Sequence, residues 1–381
     1  MNFFVISLLL SFNILLSQTV YESIESDAMG TSRDLKIQLP RNYEQTPDKR
    51  YPLIVVFDGD YLFELVAGNV DYYSYWEDMP EAIVVGVKQI DSKAEDTTLS
   101  IEGHFPHKTG AKFYDFIERE LIPYMRENYR SLDFSVAVGH GQTANFINFF
   151  LFSKALTFNA FIALSPSLSF SMQDNLSRQL SLKKKEKIFY YLSTANLDIK
   201  RHKKEVLELN AKLTDIDNNS LFYSFDNFEA ANHYSLAAQS IPKALESIFL
   251  VYQPISKKEY KEKIISLETS PVDYLIEKYD TIDQLFGIEK QMLINDFRAI
   301  EAAIKKQQAY ALFKDLGDLA NQQYPNTVLG SFYLGRYYEE KGNPKKAMNI
   351  YRSAYTLESV EGYSKEEMFD RADQIRDEYG Y

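Results

Sequence analysis

The stretch FSVAVGHGQTANFINFF, residues 134–150, decides the fold. A short β-branched apolar segment, Phe134–Val138, runs into Gly139-His140-Gly141 and then into an amphipathic pattern that starts at Gln142. An apolar run too short for a helix, punctuated by glycine and followed by a helical period, predicts a buried strand, a sharp turn and a helix. The same alternation extends in both directions. Strands are expected at Leu35–Leu39, Leu53–Phe57, Ala82–Val87, Ser135–Val138, Ala160–Leu164, Lys187–Ser193 and Leu221–Phe225. Helical patterns lie between them at Tyr61–Tyr75, Gly110–Tyr129, Gln142–Phe152, Ile199–Leu213 and Leu236–Val251. Strands that are apolar throughout, alternating with helices, predict an α/β architecture with a mostly parallel sheet covered on both faces.

The 381 residues are enough for two or three separate cores. With no cysteine, disulfide scaffolds, thiol catalysis and Cys-ligated metal centres are excluded. The net charge of −12 disfavours nucleic acid and anionic lipid as partners. The basic run Lys183–Lys187 has no interleaved aromatic residues and reads as a solvated face. Residues 1–17, MNFFVISLLLSFNILLS, are apolar and carry no acidic residue, which has the form of a cleaved export signal and predicts a secreted or periplasmic protein. No other stretch is apolar and long enough to span a membrane.

Residues 18–253 hold the α/β pattern, and 254–268, containing KKEYKEK, read as a linker. From 269 to 381 only helical patterns occur. Within them Leu334, Gly335, Tyr338, Ala347, Tyr351 and Ala354 resemble the packing positions of a tetratricopeptide (TPR) unit of about 34 residues. Stepping back one period places Phe313, Ala320 and Pro325 at corresponding positions. Small residues at Gly335, Ala347 and Ala354 would let two antiparallel helices approach closely.

A strand, a tight turn and a helix form the arrangement that presents the serine of G-x-S-x-G enzymes. Here Gly139-His140-Gly141-Gln142-Thr143 stands in that place, with glycine at the serine position. Residues from about 32 to 250 resemble the putative-esterase family of α/β-hydrolases, relatives of enterochelin esterase and esterase D. The resemblance rests on YPLIVVFDGD (51–60), EAIVVGV (81–87), KFYDFIERELIPYMRENYR (112–130), the elbow itself and FNAFIALSPSL (158–168). It implies a catalytic triad whose nucleophile maps to Gly141, whose acid maps to Asp198 and whose base maps to His233. It further implies oxyanion or ligand contacts from Gln142 and from the turn at Asp58 and Gly59, and no cofactor or metal.

Gly141 cannot form an acyl-enzyme, and Thr143, two residues on, lies off the elbow tip. There is no glycine from Gln142 through Phe286, so the positions behind the nucleophile and before the acid, which the family fills with glycine, hold Thr143 and Thr194-Ala195-Asn196. A site that has drifted as well as lost its nucleophile is expected: a pseudo-esterase acting as a binding module for a small ester-like or sugar-like ligand, or for a protein partner through the TPR-like tail. The alternative is an active carboxylic-ester hydrolase in which His233 activates water. Of the remaining candidates, His104 and His107, which together with His140 offer three histidines for a conceivable metal site in the cleft, read as solvated loop residues, and His202 as part of a solvated helix face. Ser165 and Ser167 are assigned to turn formation around Pro166. Tyr72, Tyr73, Tyr75 and Trp76 either roof the cleft or belong to the core.

Overall fold

The computed structural model describes residues 19–102 and 104–381; the expected signal segment, 1–17, lies outside the described residues. Residues up to Ser74 together with Glu81–Ile248 form one compact unit, and Tyr75–Pro80 together with Phe249–Tyr381 form a second. The first unit is built on a sheet of eight strands: β1 (Thr19–Ser26), β2 (Thr31–Gln38), β3 (Tyr51–Val56), β4 (Ile83–Val87), β5 (Ser131–His140), β6 (Ala160–Leu164), β7 (Ile188–Leu197) and β8 (Leu221–Asn232). Their order is β1-β2-β4-β3-β5-β6-β7-β8. β1 and β2 are antiparallel, as are β2 and β4, while β4 through β8 pair in parallel.

Every residue of β3, β4 and β6 is buried, the signature of strands covered on both faces. One face packs a mainly aliphatic core into which aromatic rings are set, among them Phe57, Phe113, Phe116, Phe146, Phe150 and Phe158. Phe57 meets Phe113 edge-on, with ring centroids 5.9 Å apart, and Phe150 meets Phe158 at 5.1 Å. Such pairs add roughly 0.5–1.5 kcal/mol beyond the area they bury. In a chain without disulfides, that packing carries the stability.

Two elements are absent from the sequence reading. β1 alternates between half-buried and exposed residues in TVYESIES, so it offers no apolar run. It is joined to β2 by a tight turn at 27–30, where Gly30 takes φ +69° and its N–H bonds to the Ser26 carbonyl at 2.8 Å. The helix Met172–Leu182 buries only Met172, Leu176 and Leu180, one residue per turn in an otherwise polar segment. A stripe that narrow is hard to tell from a loop.

The second unit is helical, with Pro271–Phe286, Ile294–Gln307, Phe313–Gln323, Val328–Glu340, Pro344–Ser353 and Lys365–Tyr379 as its main helices. Their ends follow local chemistry. Ser270 caps the first, with Pro271 just inside it and Gly287 in the left-handed conformation after it; Ser364 and Glu367 form a reciprocal capping box at the last. The stretch read as a linker, 254–268, is itself partly helical: Lys257–Glu259 continues as a wider turn through Tyr260–Ile264, and Ile264 is buried. The charge density of KKEYKEK is what gives this stretch the look of a linker in sequence.

Close helix approach in this unit depends on glycine. A Cβ built at Gly317 would lie 2.8 Å from Leu334 Cγ, and one at Gly335 would lie 2.2 Å from the ring of buried Tyr351. Gly335→Ala gains about 1 kcal/mol of helix propensity but overpacks the contact by about 1–3 kcal/mol. A lowered chemical-denaturation midpoint for the helical unit is therefore expected; a raised one would show that the two helices separate freely.

Candidate active site

Parallel strands direct their carboxyl ends to one edge of the sheet, where loops rather than a repeating ladder set the side chains. β5 ends at His140, and Gly141 follows with φ +63°, immediately before the helix Gln142–Phe146. That left-handed turn is the elbow. Residues with side chains rarely adopt it, and glycine does so without strain. A Cβ built at Gly139 would come within 2.6 Å of Thr143 C, so Gly139 supplies the close approach of strand to helix. The turn is held by Thr143, whose hydroxyl accepts from the His140 N–H at 2.9 Å and donates to Asp58 Oδ2 at 2.6 Å.

Beside the elbow stand the two other expected triad positions. A register shift in the β7–β8 pairing between Ala195 and Leu197 precedes Asp198, and His233 follows the end of β8. His233 Nδ1 lies 2.9 Å from Asp198 Oδ1. Since an ionised carboxylate only accepts, Nδ1 carries the proton and Nε2 offers its lone pair. Nε2 faces the elbow: a Cβ built on Gly141 would be 3.7 Å from it. Asp198 also accepts from Ser165 Oγ at 3.0 Å, Thr194 Oγ1 at 2.8 Å and the Ile199 N–H at 2.7 Å. Burial raises its carboxyl pKa, but the bonds from His233, Ser165, Thr194 and Ile199 outweigh that and bring it down to about 2. The carboxylate is thus ionised across the physiological range.

Several expectations change here. The acid and histidine positions are hydrogen-bonded beside the elbow rather than drifted apart, and Thr143 and Thr194 each use a hydroxyl to secure the site. His202 is buried rather than solvated, because the first turn of the helix Lys200–Thr214 faces the cleft. Ser165 does more than make a turn; its hydroxyl lies 3.0 Å from His233 Nδ1 as well as bonding Asp198. Ser167 stays near the expected role, its N–H bonding the Gly141 carbonyl at 2.9 Å.

The oxyanion contacts divide. Gln142 opens the helix, where a backbone N–H lacks an intrahelical acceptor, and it lines the cleft. The Asp58 N–H is spent on Gln89 Oε1 at 2.9 Å and the Gly59 N–H on the Val87 carbonyl at 2.8 Å. These two donors are withdrawn because the turn docks tightly on β4; a Cβ at Gly59 would come 2.7 Å from Gly86 C. The Asp58 side chain instead collects Lys93 Nζ at 2.8 Å, Thr143, and Tyr61 Oη at 3.1 Å. Burial, followed by the Asp58 charge, raises the Tyr61 phenol, which stays protonated.

The cleft has a volume of about 630 Å³ and is lined by residues that include Tyr61, His140, Gly141, His233 and Tyr234. Of the aromatic residues expected as a roof, none of Tyr72, Tyr73, Tyr75 and Trp76 lines it, and Tyr72, Tyr75 and Trp76 are exposed. His104 and His107 lie in the loop before the helix Thr109–Asp115, and His104 packs edge-on against Phe170 at 5.9 Å.

His140, weighed from sequence only as one of three histidines that could line the cleft, is a positioning group. Its Nε2–H donates to the His233 carbonyl at 2.9 Å, and the two imidazoles stack with centroids 4.4 Å apart. Burial, then the neighbouring His233, lowers its pKa from 6.5 to about 4. A depressed histidine contributes stability that is complete above pH 6.5 and is lost as the pH falls towards 4. The difference is on the order of 3 kcal/mol. His140→Gln keeps a donor but removes the titration, so its denaturation midpoint is expected to fall less than that of the wild type between pH 7 and pH 4. Equal falls would place the titrating group elsewhere.

A model of the family described as putative esterase matches residues 26–204. Among solved structures, an uncharacterised protein from Capnocytophaga ochracea is 28% identical, with a TM-score of 0.85, covering 94% of this chain and all of its own. The BES protein from Bacillus cereus is 25% identical with a TM-score of 0.54, covering 64% of this chain and 98% of its own. An IroE-like serine hydrolase from Shewanella oneidensis, 20% identical with a TM-score of 0.58 over 80% of this chain and 99% of its own, shares the fold. A comparison with curated proteins finds no match. The family match over residues 26–204 and the mostly parallel sheet together support an esterase-family α/β-hydrolase fold for the first unit.

Proposed function

We propose that the protein is a pseudo-esterase: an esterase-family binding module that holds an ester-like or sugar-like ligand in the cleft without forming an acyl-enzyme. The observation that carries this reading is Gly141 at the elbow, φ +63°, beside the hydrogen-bonded pair of His233 and Asp198. Without a nucleophile the pair has no covalent step to assist, and losing a triad serine costs on the order of 10⁶ in kcat. The helical unit, with its TPR-like spacing, is the candidate surface for a protein partner.

A second reading is favoured by one feature. His233 Nε2 carries a lone pair and faces the cleft, the requirement for a base that activates water directly. One assay separates the two. Wild type is expected to leave p-nitrophenyl acetate at the background rate, whereas Gly141→Ser is expected to gain turnover that is lost again in Gly141→Ser/His233→Ala. The serine side chain has room, since its Cβ meets only the His233 ring at 3.7–3.8 Å, and the positive φ costs about 1–3 kcal/mol. Wild-type turnover abolished by His233→Ala would replace the pseudo-esterase reading with the water mechanism.

The reading includes export, supported by the apolar segment 1–17. Protein recovered from its native cells is expected to begin near Gln18 by N-terminal sequencing; a chain retaining Met1 would remove that part of the reading.

A further inference from the structure

The side chains behind the elbow form a second constellation. Ser165 Oγ lies 3.0 Å from Asp198 Oδ1, 3.0 Å from His233 Nδ1 and 3.4 Å from His202 Nδ1. His233 Nδ1 and Asp198 Oδ1 are 2.9 Å apart, and one ligand atom from each of Asp198, His202 and His233 lies within 4.8 Å of the other two. A tetrahedral zinc ion with bonds near 2.0–2.1 Å requires its donors to be about 3.3 Å apart. Four of the six separations among the two imidazoles, the carboxylate and the hydroxyl, at 2.9–3.4 Å, stand close to that spacing, and the other two, from His202 to Asp198 and to His233, are within 4.8 Å.

Three features make this a site rather than a crowd of polar groups. First, the donors can meet a metal without a net loss of protons. Asp198 already acts as an acceptor towards four donors, as a carboxylate does, and His233 frees Nδ1 by moving its ring proton to Nε2. Second, the carboxylate is already oriented from outside the cluster, since Thr194 Oγ1 and the Ile199 N–H both donate to it. Third, there is a way in, because His202 and His233 both line the cleft. His202 is also poorly provided for as the cluster stands. It is buried, and its contact with Ser165 is 3.4 Å, at the long end of a hydrogen bond.

We propose that Asp198, His202 and His233, with Ser165 Oγ at the fourth corner, bind a divalent transition ion of the zinc class. Mixed nitrogen and oxygen donors in a tetrahedral arrangement suit zinc better than the larger, oxygen-preferring calcium or magnesium. The proton balance is simple. The metal takes Nδ1 of His233, and the ring proton moves to Nε2, so the neutral imidazole changes tautomer without releasing a proton. Metal occupancy and general-base action therefore exclude one another: once Nδ1 is coordinated, the cleft meets an N–H donor at Nε2 where it met a lone pair. The site goes beyond the proposed function and stands whether or not the cleft hydrolyses esters.

Titration calorimetry of the full chain with zinc chloride alone, in a non-chelating buffer, is expected to show one site per chain, with affinity at least tenfold weaker in His202→Ala. No binding to wild type, or equal affinity in a folded His202→Ala, would overturn the proposal. Should that variant fail to fold, cobalt(II) added to wild type decides the matter. Paramagnetic shifts are expected for the imidazole signals of His202 and His233, while those of His104 and His107 stay in place. Shifts confined to His104 and His107 would assign the ion to the surface loop and overturn the site.

Discussion

Burial of a parallel sheet on both faces is the constraint from which the site follows. β3, β4 and β6 admit no exposed residue, so polar chemistry collects where the strands end and the chain must turn. β5, β6, β7 and β8 lead respectively to the elbow, Ser165, Asp198 and His233. Four loops far apart in sequence are thereby brought together at one edge of the sheet.

Within that frame, two threonine hydroxyls tie the loops of the site to carboxylates. Thr143 ties the elbow to Asp58 and Thr194 ties the β7 loop to Asp198. Both side chains are fully buried, and each is satisfied, as a polar group taken out of water must be. Close backbone approach survives at Gly139 and Gly59, on the strand side of the elbow and in the turn after β3. The result is a hydrogen-bonded pair of His233 and Asp198 held next to a position that bears no side chain.

The network also illustrates how one histidine can position another. His140 is kept neutral by burial, and its Nε2–H and ring face both go to His233. Tyr61 and Asp58 close the other side of the ring, since Tyr61 Oη lies 3.1 Å from both His140 Nδ1 and Asp58 Oδ2. The loop carrying His233 is therefore fixed through its backbone, independently of the bond its own side chain makes to Asp198. That redundancy keeps the His233–Asp198 pair aligned.

Much was legible in the linear chain. The apolar runs at β3 to β8 announced the parallel sheet, and Gly141 between His140 and Gln142 marked the elbow turn, because periodicity and the φ preference of glycine are local properties. β1 and the helix Met172–Leu182 were not legible, because each buries too few residues to set a period. Tertiary structure alone decided the rest. That His202 is buried, that Ser165 joins Asp198 and His233, and that the Asp58 and Gly59 N–H groups are spent on Gln89 and Val87 all depend on contacts across 30 to 70 residues, or on the close docking of one turn on its neighbouring strand. A residue's type limits which bonds it can make; which of them it makes is set by the neighbours that the sheet brings to its edge.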